Sequence, residues 1–441
     1  MKVTDTKIDA QQLQIGMFVC ELDIPWKDSP FLIIDGFMLK NMKTIKKIQQ
    51  VCSYVYIDKN RSAHATGKVI SPAEGINLTI AKPDSAHAQP IGTLEELDTN
   101  SPTKAKLILG KGGSIVDLPQ PEATSNFIDE LYRARKTYAH FHKEAAKIFL
   151  AVEADQAPVI LSLIGVILEV IASIKRNPSS FQWIVMTNPD DKTVKQHCIN
   201  VCIQSLIFGH QIGLPDRVNS LLGMAGLTFD VGKLVISDAI LKKPARLSDA
   251  EMDVMKKHVI ASAEILQTAA GVSPEVINVC RHHHEHVDGS GYPDHLKGEE
   301  IDLLSRIIAI IDTYHAIIAT SHYSGHSSPN KALDELYKLR NHAYDSQLVE
   351  AFIRSNGMFP VGTAIVTQTG EIGLVVSNDV KHKLSPSVLM VLDAQKRPYT
   401  EEKIIDFSRA VNDQGDPLYS IKQAVNVNDF GINAKDCFRD Q

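Results

Sequence analysis

The sequence predicts a mainly α protein with a small α+β domain at its N-terminus and a short β unit near its C-terminus. Three patterns predict this fold class. Apolar residues recur at helical spacing through most of residues 123–355, strand-like alternation surrounds one helical stretch in residues 8–58, and short apolar runs occupy residues 360–410. With 441 residues, 44% of them hydrophobic, the chain is long enough for two or three domains with separate cores.

The N-terminal part divides into a small domain and a linker. Short alternating runs in IDAQQLQIGMFVCELDIPW and SYVYID are typical of strands, and LKNMKTIKKIQQVC between them has helical spacing. From Ile57 to Asn126 the chain contains no Phe, Trp or Tyr, while Ser, Thr, Pro, Gly and Lys are frequent. A segment with so little aromatic surface to bury indicates a flexible linker over about residues 60–122.

Helical patterns dominate the centre of the chain. FIDELYRARKTYAHFHKEAAKIFLAV predicts a long amphipathic helix, and PVILSLIGVILEVIASIKRN predicts a more buried one that ends at Asn177-Pro178. A capping box from Ser248 to Glu251 marks the start of another helix. Helices are predicted near residues 191–210, 217–229, 248–269, 274–286 and 299–320. Near the C-terminus, two apolar runs around a Thr-Gly turn in TAIVTQTGEIGLVVSND and a third in SVLMVLDA predict strands.

Charge and composition exclude several classes of function. The chain has 46 Lys and Arg against 52 Asp and Glu, a net charge of −6, which argues against a nucleic-acid binder. Six scattered Cys without a CxxC pair are typical of reduced thiols, not of a disulfide framework or a Cys-rich zinc site. The start, MKVTDTKIDAQQLQIG, lacks a signal-peptide core, and the apolar run from Pro158 to Ile171 is short for a membrane span. We therefore expect a cytoplasmic protein without a membrane span.

The histidines are distributed unevenly. Ten of the 17 lie between His258 and His342, where an even distribution would place about three. The densest part is CRHHHEHVDGSGYPDHLKGEEI, in which consecutive His residues and a Glu run directly into a Gly- and Pro-containing turn. Imidazole and carboxylate together suit Zn, Mn or Fe, so this segment predicts a metal site, although a solvated His tract is the alternative.

Other residues in the helical region are candidate ligands on weaker grounds. His197 and His258 each occur alone in a predicted helix, where a histidine is more often a core or surface residue than a ligand. Asp230 lies in LLGMAGLTFDVGKL, an apolar helix predicted to end near Gly232-Lys233, and Asp312 lies within the apolar RIIAIIDTYHAIIAT. A buried carboxylate is costly unless it is paired or bound to a metal, so both aspartates are candidate ligands.

The order of these motifs resembles the HD-GYP family, metal-dependent phosphodiesterases that act on bacterial cyclic dinucleotides, chiefly cyclic di-GMP. The resemblance covers about residues 190–355 and rests on His197, DVGK at 230–233, His258, HHEHVDGSGYPDHLKGEEI and RIIAIID. Residues 8–58 resemble the uncharacterised domain that often precedes this one, and the PVGT…GLVV segment is typical of members with that arrangement. The implied domains are an α+β domain at 1–59, a linker at 60–122, a helical connector at 123–189, the HD-GYP domain at 190–355 and a C-terminal β extension at 356–441.

The resemblance implies an HD-type helical bundle around a two-metal site. Asp230 would bridge the metals, which are expected to be Fe, Mn or Zn class divalent ions. One metal would also bind His258, His283 and His284, and the other would bind His197, Asp312 and a histidine that normally precedes the bridging aspartate. Lys233 and Arg306 would neutralise phosphate charge, and Gly291, Tyr292 and Pro293 would contact the substrate or a partner protein.

This sequence departs from the family pattern at the position before the bridging aspartate. Phe229 replaces the signature histidine and offers no ligand atom. The first site keeps four protein ligands and the second keeps three, so one bound metal is expected and two can be accommodated. His315 stands where the family has an aspartate, three residues after Asp312 and on nearly the same helix face. It is a candidate replacement for the missing imidazole.

Two functions follow from these observations. In the first, the protein hydrolyses cyclic di-GMP or a relative such as cyclic GMP-AMP to the linear dinucleotide and onward to the mononucleotide. In the second, it is a degenerate member that binds metal or dinucleotide and signals to a partner, as the loss at Phe229 would favour. A general nucleotide phosphohydrolase fits less well because the Gly-Tyr-Pro loop is present. Expected partners are a cyclic dinucleotide and diguanylate-cyclase-type or other signalling proteins, and a homodimer is a candidate assembly.

Overall fold

A computed structural model describes most of the chain, and the predicted linker falls almost entirely outside it. The described residues are 5–22, 37–39, 41–58, 62, 123–187, 193–321, 329–378 and 384–438. Two compact units are present, one within residues 1–107 and the other within residues 108–441. Each unit has its own core, as the chain length predicts.

The N-terminal unit is the predicted small α+β domain. Its four strands form one antiparallel sheet in the order β1-β4-β2-β3. Its helix begins after Asn41, whose side chain accepts a hydrogen bond from the backbone N–H of Thr44. Ile45 and Ile48, on one face of that helix, belong to the same apolar core as Val19 and Val55 of the sheet. The elements are β1 Asp5–Asp9, β2 Phe18–Leu22, β3 Phe37–Met38, α1 Met42–Val51 and β4 Tyr54–Asp58.

The larger unit begins with helices, as the 3.6-residue periodicity predicts. They are α2 Phe127–Glu153, α3 Leu161–Arg176, α4 Pro178–Thr187, α5 Val194–Gln211, α6 Asp216–Thr228, α7 Asp238–Leu241, α8 Asp249–Lys256, α9 His258–Thr268, α10 Pro274–His282, α11 Leu303–Ser321, α12 Pro329–Leu339 and α13 Ser346–Asn356. Helix α3 ends before Asn177-Pro178 as predicted, because proline cannot donate the next helical hydrogen bond. Glu130 of α2 is buried and binds the guanidinium of Arg176 and the hydroxyl of Ser173.

Helix boundaries near the candidate ligands differ from the sequence prediction. Helix α6 ends at Thr228, four residues before Gly232, and a 3₁₀ turn from Val231 to Val235 follows it. The stretch predicted as one helix over 248–269 is two, which meet at Lys257. There the His258 ring hydrogen-bonds the Met255 carbonyl oxygen at 2.7 Å, which competes with the regular helical hydrogen bond. Both departures place a candidate ligand at a helix end.

The C-terminal part forms the predicted β unit, with two strands beyond the three apolar runs. The five strands form one antiparallel sheet in the order β8-β7-β6-β5-β9. The Thr-Gly turn between the first two has Gly370 at φ +94°, a conformation that glycine adopts without strain. The strands are β5 Ala364–Thr367, β6 Ile372–Ser377, β7 Ser387–Leu392, β8 Pro398–Asp406 and β9 Ile421–Val425.

The C-terminal segment packs against the first helices of the same unit. The Phe438 ring is buried and lies edge-on to Phe127 of α2 and Trp183 of α4, with each pair of ring centroids 5.5 Å apart. Arg135 of α2 donates hydrogen bonds to the carbonyl oxygens of Cys437 and Phe438. The helices before the candidate site and the β unit after it therefore share one packed body.

The apolar run from Pro158 to Ile171 lies largely in α3. Val166, Ile167, Val170 and Ile171 are buried among neighbouring helices, as expected for a core helix. Across the residues that the structure describes, no helix combines the length and apolarity that a membrane crossing requires.

Candidate metal centre

Two groups of potential ligands face each other in the helical unit. The first consists of His258, at the start of α9, and His283 and His284, immediately after α10. The second consists of His197 on α5, Asp230 just after α6 and Asp312 on α11. Within each group, one ligand atom of every residue lies within 4.8 Å of the others. In the described ranges, these are the groups of three or more such residues that could bind a metal.

Asp230 connects the two groups. Its Oδ1 atom lies 3.1 Å from Nε2 of His258 and 3.6 Å from Nε2 of His283. Its Oδ2 atom accepts a hydrogen bond from Nζ of Lys233 at 2.6 Å. The carboxylate is fully buried. It belongs to the second group, but its Oδ1 atom also faces two imidazoles of the first group.

Backbone carbonyl groups orient two of the three imidazoles of the first group. Nδ1 of His258 lies 2.7 Å from the Met255 carbonyl oxygen, and Nδ1 of His283 lies 2.9 Å from that of Cys280. A nitrogen facing a carbonyl oxygen carries the ring proton, which leaves the lone pair on Nε2. The two Nε2 atoms are 3.4 Å apart and both face Asp230.

This arrangement of electron pairs fits a divalent cation. Oδ1 of Asp230 is buried and has no hydrogen-bond donor in the described structure, because the imidazole nitrogens facing it carry lone pairs. A buried carboxylate oxygen in this position is costly unless a cation binds it. Three His nitrogens and one carboxylate oxygen are a donor set that suits Zn, Mn or Fe.

A close backbone contact holds the turn that carries Asp230. A Cβ atom added at Gly232 would lie 2.3 Å from the His258 carbonyl oxygen and 2.6 Å from the Ser262 backbone nitrogen. The Gly232 N–H donates to Oγ of Ser262 at 2.8 Å. Only glycine permits this approach, so the DVGK segment packs directly on the start of α9 and brings Asp230 to His258.

The second group contains a short hydrogen bond between an imidazole and a carboxylate. Nε2 of His197 lies 2.7 Å from Oδ1 of Asp312, and the aspartate is buried. Although burial favours the neutral acid, the hydrogen bond and charge of His197 hold the pKa of Asp312 below its usual range. The carboxylate is thus ionised at neutral pH, as a metal ligand must be.

Burial and neighbouring charges set the protonation states of the other candidate groups. Burial would raise the pKa of Asp230, but the positive charge of the Lys233 ammonium holds that pKa well below its usual range. Burial would lower the pKa of Lys233, but the negative charges of Asp230 and Asp312 have the larger effect and raise that pKa. Burial lowers the pKa of His283, and burial together with His283 lowers that of His284. At neutral pH, the aspartates and lysine are therefore charged and these imidazoles neutral.

A cavity of about 290 Å³ opens over both donor groups. Four candidate ligands and Lys233 line it together with residues that the sequence analysis did not single out. Of these, Val194 and Met255 each precede a candidate ligand by three residues, a spacing that could have indicated them. The lining residues are Thr193, Val194, His197, Asp230, Lys233, Leu241, Met255, His258, His284 and Tyr292.

The Gly-Tyr-Pro loop lies against the first donor group. The Tyr292 ring packs on the His284 imidazole, with centroids 4.9 Å apart. The backbone N–H of Tyr292 also donates a hydrogen bond to the His284 carbonyl oxygen. A Cβ atom at Gly291 would lie 2.3 Å from the His286 backbone nitrogen, so glycine permits this close packing. Glu285 is buried and accepts hydrogen bonds from the N–H groups of Asp294 and Leu296, which fixes the rest of the loop.

Three residues predicted to contact the substrate do not line this cavity. Gly291 and Pro293 are absent from the described cavity lining, from which only Tyr292 of the loop points inward. Arg306 on α11 is also absent from that lining, and its Nη1 donates to Oδ2 of Asp345 at 2.7 Å. Their predicted contact with substrate stays a prediction.

Phe229 and His315 occupy buried positions beside the ligands. The Phe229 ring lies 4.8 Å from that of His283 and 5.7 Å from that of His197, measured between centroids. His315 joins neither donor group of the described structure, and its Nε2 is buried without a hydrogen-bond partner there. Burial lowers the pKa of His315 to about 3, so its ring is neutral.

Two family models and several curated proteins are similar to this chain in sequence. A family model described as HD domain matches residues 192–348, and one described as Domain of unknown function (DUF3391) matches residues 5–160. The chain is 27% identical to the cyclic di-GMP phosphodiesterase PA4108 of Pseudomonas aeruginosa over 405 residues, which are 92% of this chain and 89% of that protein.

Two further relatives match over a shorter region. The cyclic di-GMP phosphodiesterase response regulator RpfG of Xanthomonas campestris is 36% identical over 149 residues, 34% of this chain and 39% of its own. The 3'3'-cGAMP-specific phosphodiesterase 1 of Vibrio cholerae is 33% identical over 165 residues, 37% of this chain and 38% of its own. The chain thus spans less than half the length of these two relatives. The HD domain match includes every candidate ligand from His197 to Asp312, and the similarity to PA4108 covers 92% of the chain. Together these matches support an HD-GYP family protein.

Proposed function

We propose that this protein is a metal-dependent phosphodiesterase that hydrolyses a cyclic dinucleotide, with cyclic di-GMP as the first candidate substrate. The products would be linear pGpG and then GMP. The observation that carries the proposal is the buried Asp230 carboxylate, which joins two donor groups beneath one cavity. Three similar proteins are named as phosphodiesterases of cyclic di-GMP or 3'3'-cGAMP, which supports this substrate class.

The two donor groups suggest unequal metal sites. Asp230, His258, His283 and His284 would hold the first ion with four ligands. His197, Asp230 and Asp312 would hold the second with three, which leaves positions open for substrate and water. Because Phe229 supplies no donor between them, we expect the first site to bind its ion more tightly. The donor types fit Fe, Mn or Zn.

The chain's own groups have defined tasks in this reaction. Divalent ions in such a site polarise a phosphodiester and lower the pKa of water, which supplies a nucleophile at neutral pH. Lys233 lines the cavity as a cation and can neutralise charge that develops on the scissile phosphate. The carbonyl groups of Met255 and Cys280 keep two imidazoles in the ligand tautomer.

A second candidate function is binding without turnover. The observation that favours it is the Phe229 ring, which lies between His197 and His283 and has no atom that could bind a metal. A site that holds only the first ion could bind a dinucleotide and transmit its presence to a signalling partner through the Gly-Tyr-Pro loop.

Metal analysis combined with a turnover assay tests these functions. Purified protein would be assayed by mass spectrometry for Fe, Mn and Zn and by chromatography for products from cyclic di-GMP and 3'3'-cGAMP. We expect turnover that a chelator abolishes and that His284→Gln strongly reduces, whereas His140→Gln, at an exposed histidine paired with Glu169, serves as the matched control. Metal and dinucleotide binding without any product would overturn the enzymatic proposal and favour the second function.

A further inference from the structure

The rim of the cavity carries a cation that the proposed chemistry does not use. Lys256 is the last residue of α8, and its side chain is exposed. Its Nζ atom lies 5.4 Å from the centroid of the Tyr292 ring, within the range of a cation–π contact. Tyr292 lines the cavity and packs on His284, so its ring lies between the Lys256 ammonium and the first donor group.

Lys256, like the adjacent Lys257, has no ion-pair partner among the described residues, whereas three other lysines of this region do. Lys233 pairs with Asp230, Lys242 with Asp238, and Lys243 with Glu251. Within the described residues, Lys256 takes part in no ion pair, although Met255 before it and His258 two residues after it both line the cavity. Its charge is therefore available to an anion that enters the cavity.

The chemistry of the proposed substrate identifies that anion. The anionic groups of a cyclic dinucleotide are its two phosphodiesters, and both belong to one closed ring. If one phosphate lies over the two donor groups, ring closure holds the other a short distance away. Ammonium and phenol groups are hydrogen-bond donors that suit a phosphate oxygen at such a rim.

We propose that Lys256 and Tyr292 form a subsite for the second, uncleaved phosphate of the cyclic dinucleotide. This inference rests on the proposed function and adds a specificity-determining residue to it. A substrate with two linked phosphates uses the subsite, whereas a simple diester with one phosphate does not. The rim thus favours cyclic dinucleotides over other phosphodiesters.

A comparison of two substrates tests the subsite. Cyclic di-GMP carries both phosphates, and bis(p-nitrophenyl) phosphate carries one. For Lys256→Met we expect KM for cyclic di-GMP to rise about tenfold, the effect of one charge-assisted contact, with a much smaller change in kcat. The ratio of kcat/KM for cyclic di-GMP to that for the simple diester should fall about tenfold, and Lys256→Arg should restore most of it.

Lys257→Met is the matched control, since Lys257 is exposed and adjacent but has no described contact with Tyr292. An equal fall in both substrates' kcat/KM for Lys256→Met, or the same ratio change in Lys257→Met, would overturn the subsite while the proposed function stands. Wild-type hydrolysis of the simple diester without any hydrolysis of cyclic dinucleotides would overturn the proposed function, and the subsite with it.

Discussion

The Phe229 ring meets the His283 imidazole edge to face, with centroids 4.8 Å apart and an interplanar angle of 89°. Phe229 is fully buried, and its ring also lies 5.7 Å from that of His197 in the other donor group. An apolar ring therefore occupies space between two sets of candidate metal ligands.

Phe229→His should strengthen the weaker metal site. The new imidazole would stand next to Asp230 and add a fourth donor to the group of His197 and Asp312. We expect metal content to rise toward two ions per chain and affinity for the second ion to rise about tenfold or more, the scale on which ligand environments act. Elemental analysis and metal titration measure this.

Phe229→Leu controls for the change in packing, because leucine removes the ring without adding a donor. Both variants should lose some stability, but only the histidine variant should gain metal. Equal metal content in Phe229→His, Phe229→Leu and the wild type would contradict the prediction.

Lys233→Met should reduce turnover without emptying the metal sites. Lys233 lines the cavity, and its Nζ lies 2.6 Å from Oδ2 of Asp230. Loss of a group that stabilises developing phosphate charge costs about 10²–10³ in kcat. Steady-state kinetics and elemental analysis of the same sample measure both properties.

Lys242→Met is the control for Lys233→Met, since Lys242 pairs with Asp238 on an exposed helix. It should leave kcat unchanged. If Lys233→Met lost its metal in proportion to its activity, Lys233 would act by holding Asp230 in place and not on the phosphate.

Gly291→Ala should destabilise the protein and displace the Tyr292 ring. The added methyl group would lie 2.3–2.5 Å from backbone atoms of residues 284–286, so the loop must move. Strain of this kind typically costs about 1–3 kcal/mol. Thermal unfolding should show a lower Tm, and KM for the cyclic dinucleotide should rise because Tyr292 lines the cavity.

The same substitution at Gly165, glycine to alanine, should stabilise the protein instead of destabilising it. Gly165 lies in the middle of α3 and has nothing within 4 Å of an added Cβ atom. Alanine there should stabilise the helix by about 0.5–1 kcal/mol. A lower Tm for Gly165→Ala, or an unchanged Tm for Gly291→Ala, would contradict this pair of predictions.

His315 should make stability depend on pH. Burial lowers its pKa from 6.5 to about 3, so between these values the unfolded chain binds a proton that the folded chain does not. Stability therefore falls as pH falls below 6.5, by at most about 1.4 kcal/mol per pH unit from this residue. His315→Leu should flatten that decline in urea unfolding experiments between pH 6.5 and about 4.

Metal content should be the same in His315→Leu and the wild type, because His315 belongs to neither donor group of the described structure. His140→Leu, at an exposed position, is the control for the pH dependence. A loss of metal in His315→Leu would instead support the hypothesis that His315 replaces the imidazole missing at position 229.

Local patterns were sufficient for most of the fold. The periodicity of residues 123–355 predicts helices, and short alternating or apolar runs predict β2, β4, β5, β6 and β7, whereas β8 and β9 were not predicted. Proline at 178 and the capping box at Ser248 mark helix ends because they act on the nearest backbone groups. The prediction was wrong where a side chain interrupted a helix, as the His258 ring does by binding the Met255 carbonyl oxygen.

The sequence by itself determined which residues have metal-binding chemistry, because ligand type is a property of the side chain and the clustered histidines are unusual. Only the tertiary structure decided how they meet. His197 and Asp312 are 115 residues apart yet 2.7 Å from each other, and Oδ1 of Asp230 faces two imidazoles whose tautomers are set by backbone carbonyl groups. Such contacts depend on helix packing and on the missing Cβ at Gly232, which no local pattern encodes. The same packing placed Lys256 over Tyr292 and left Arg306 bound to Asp345.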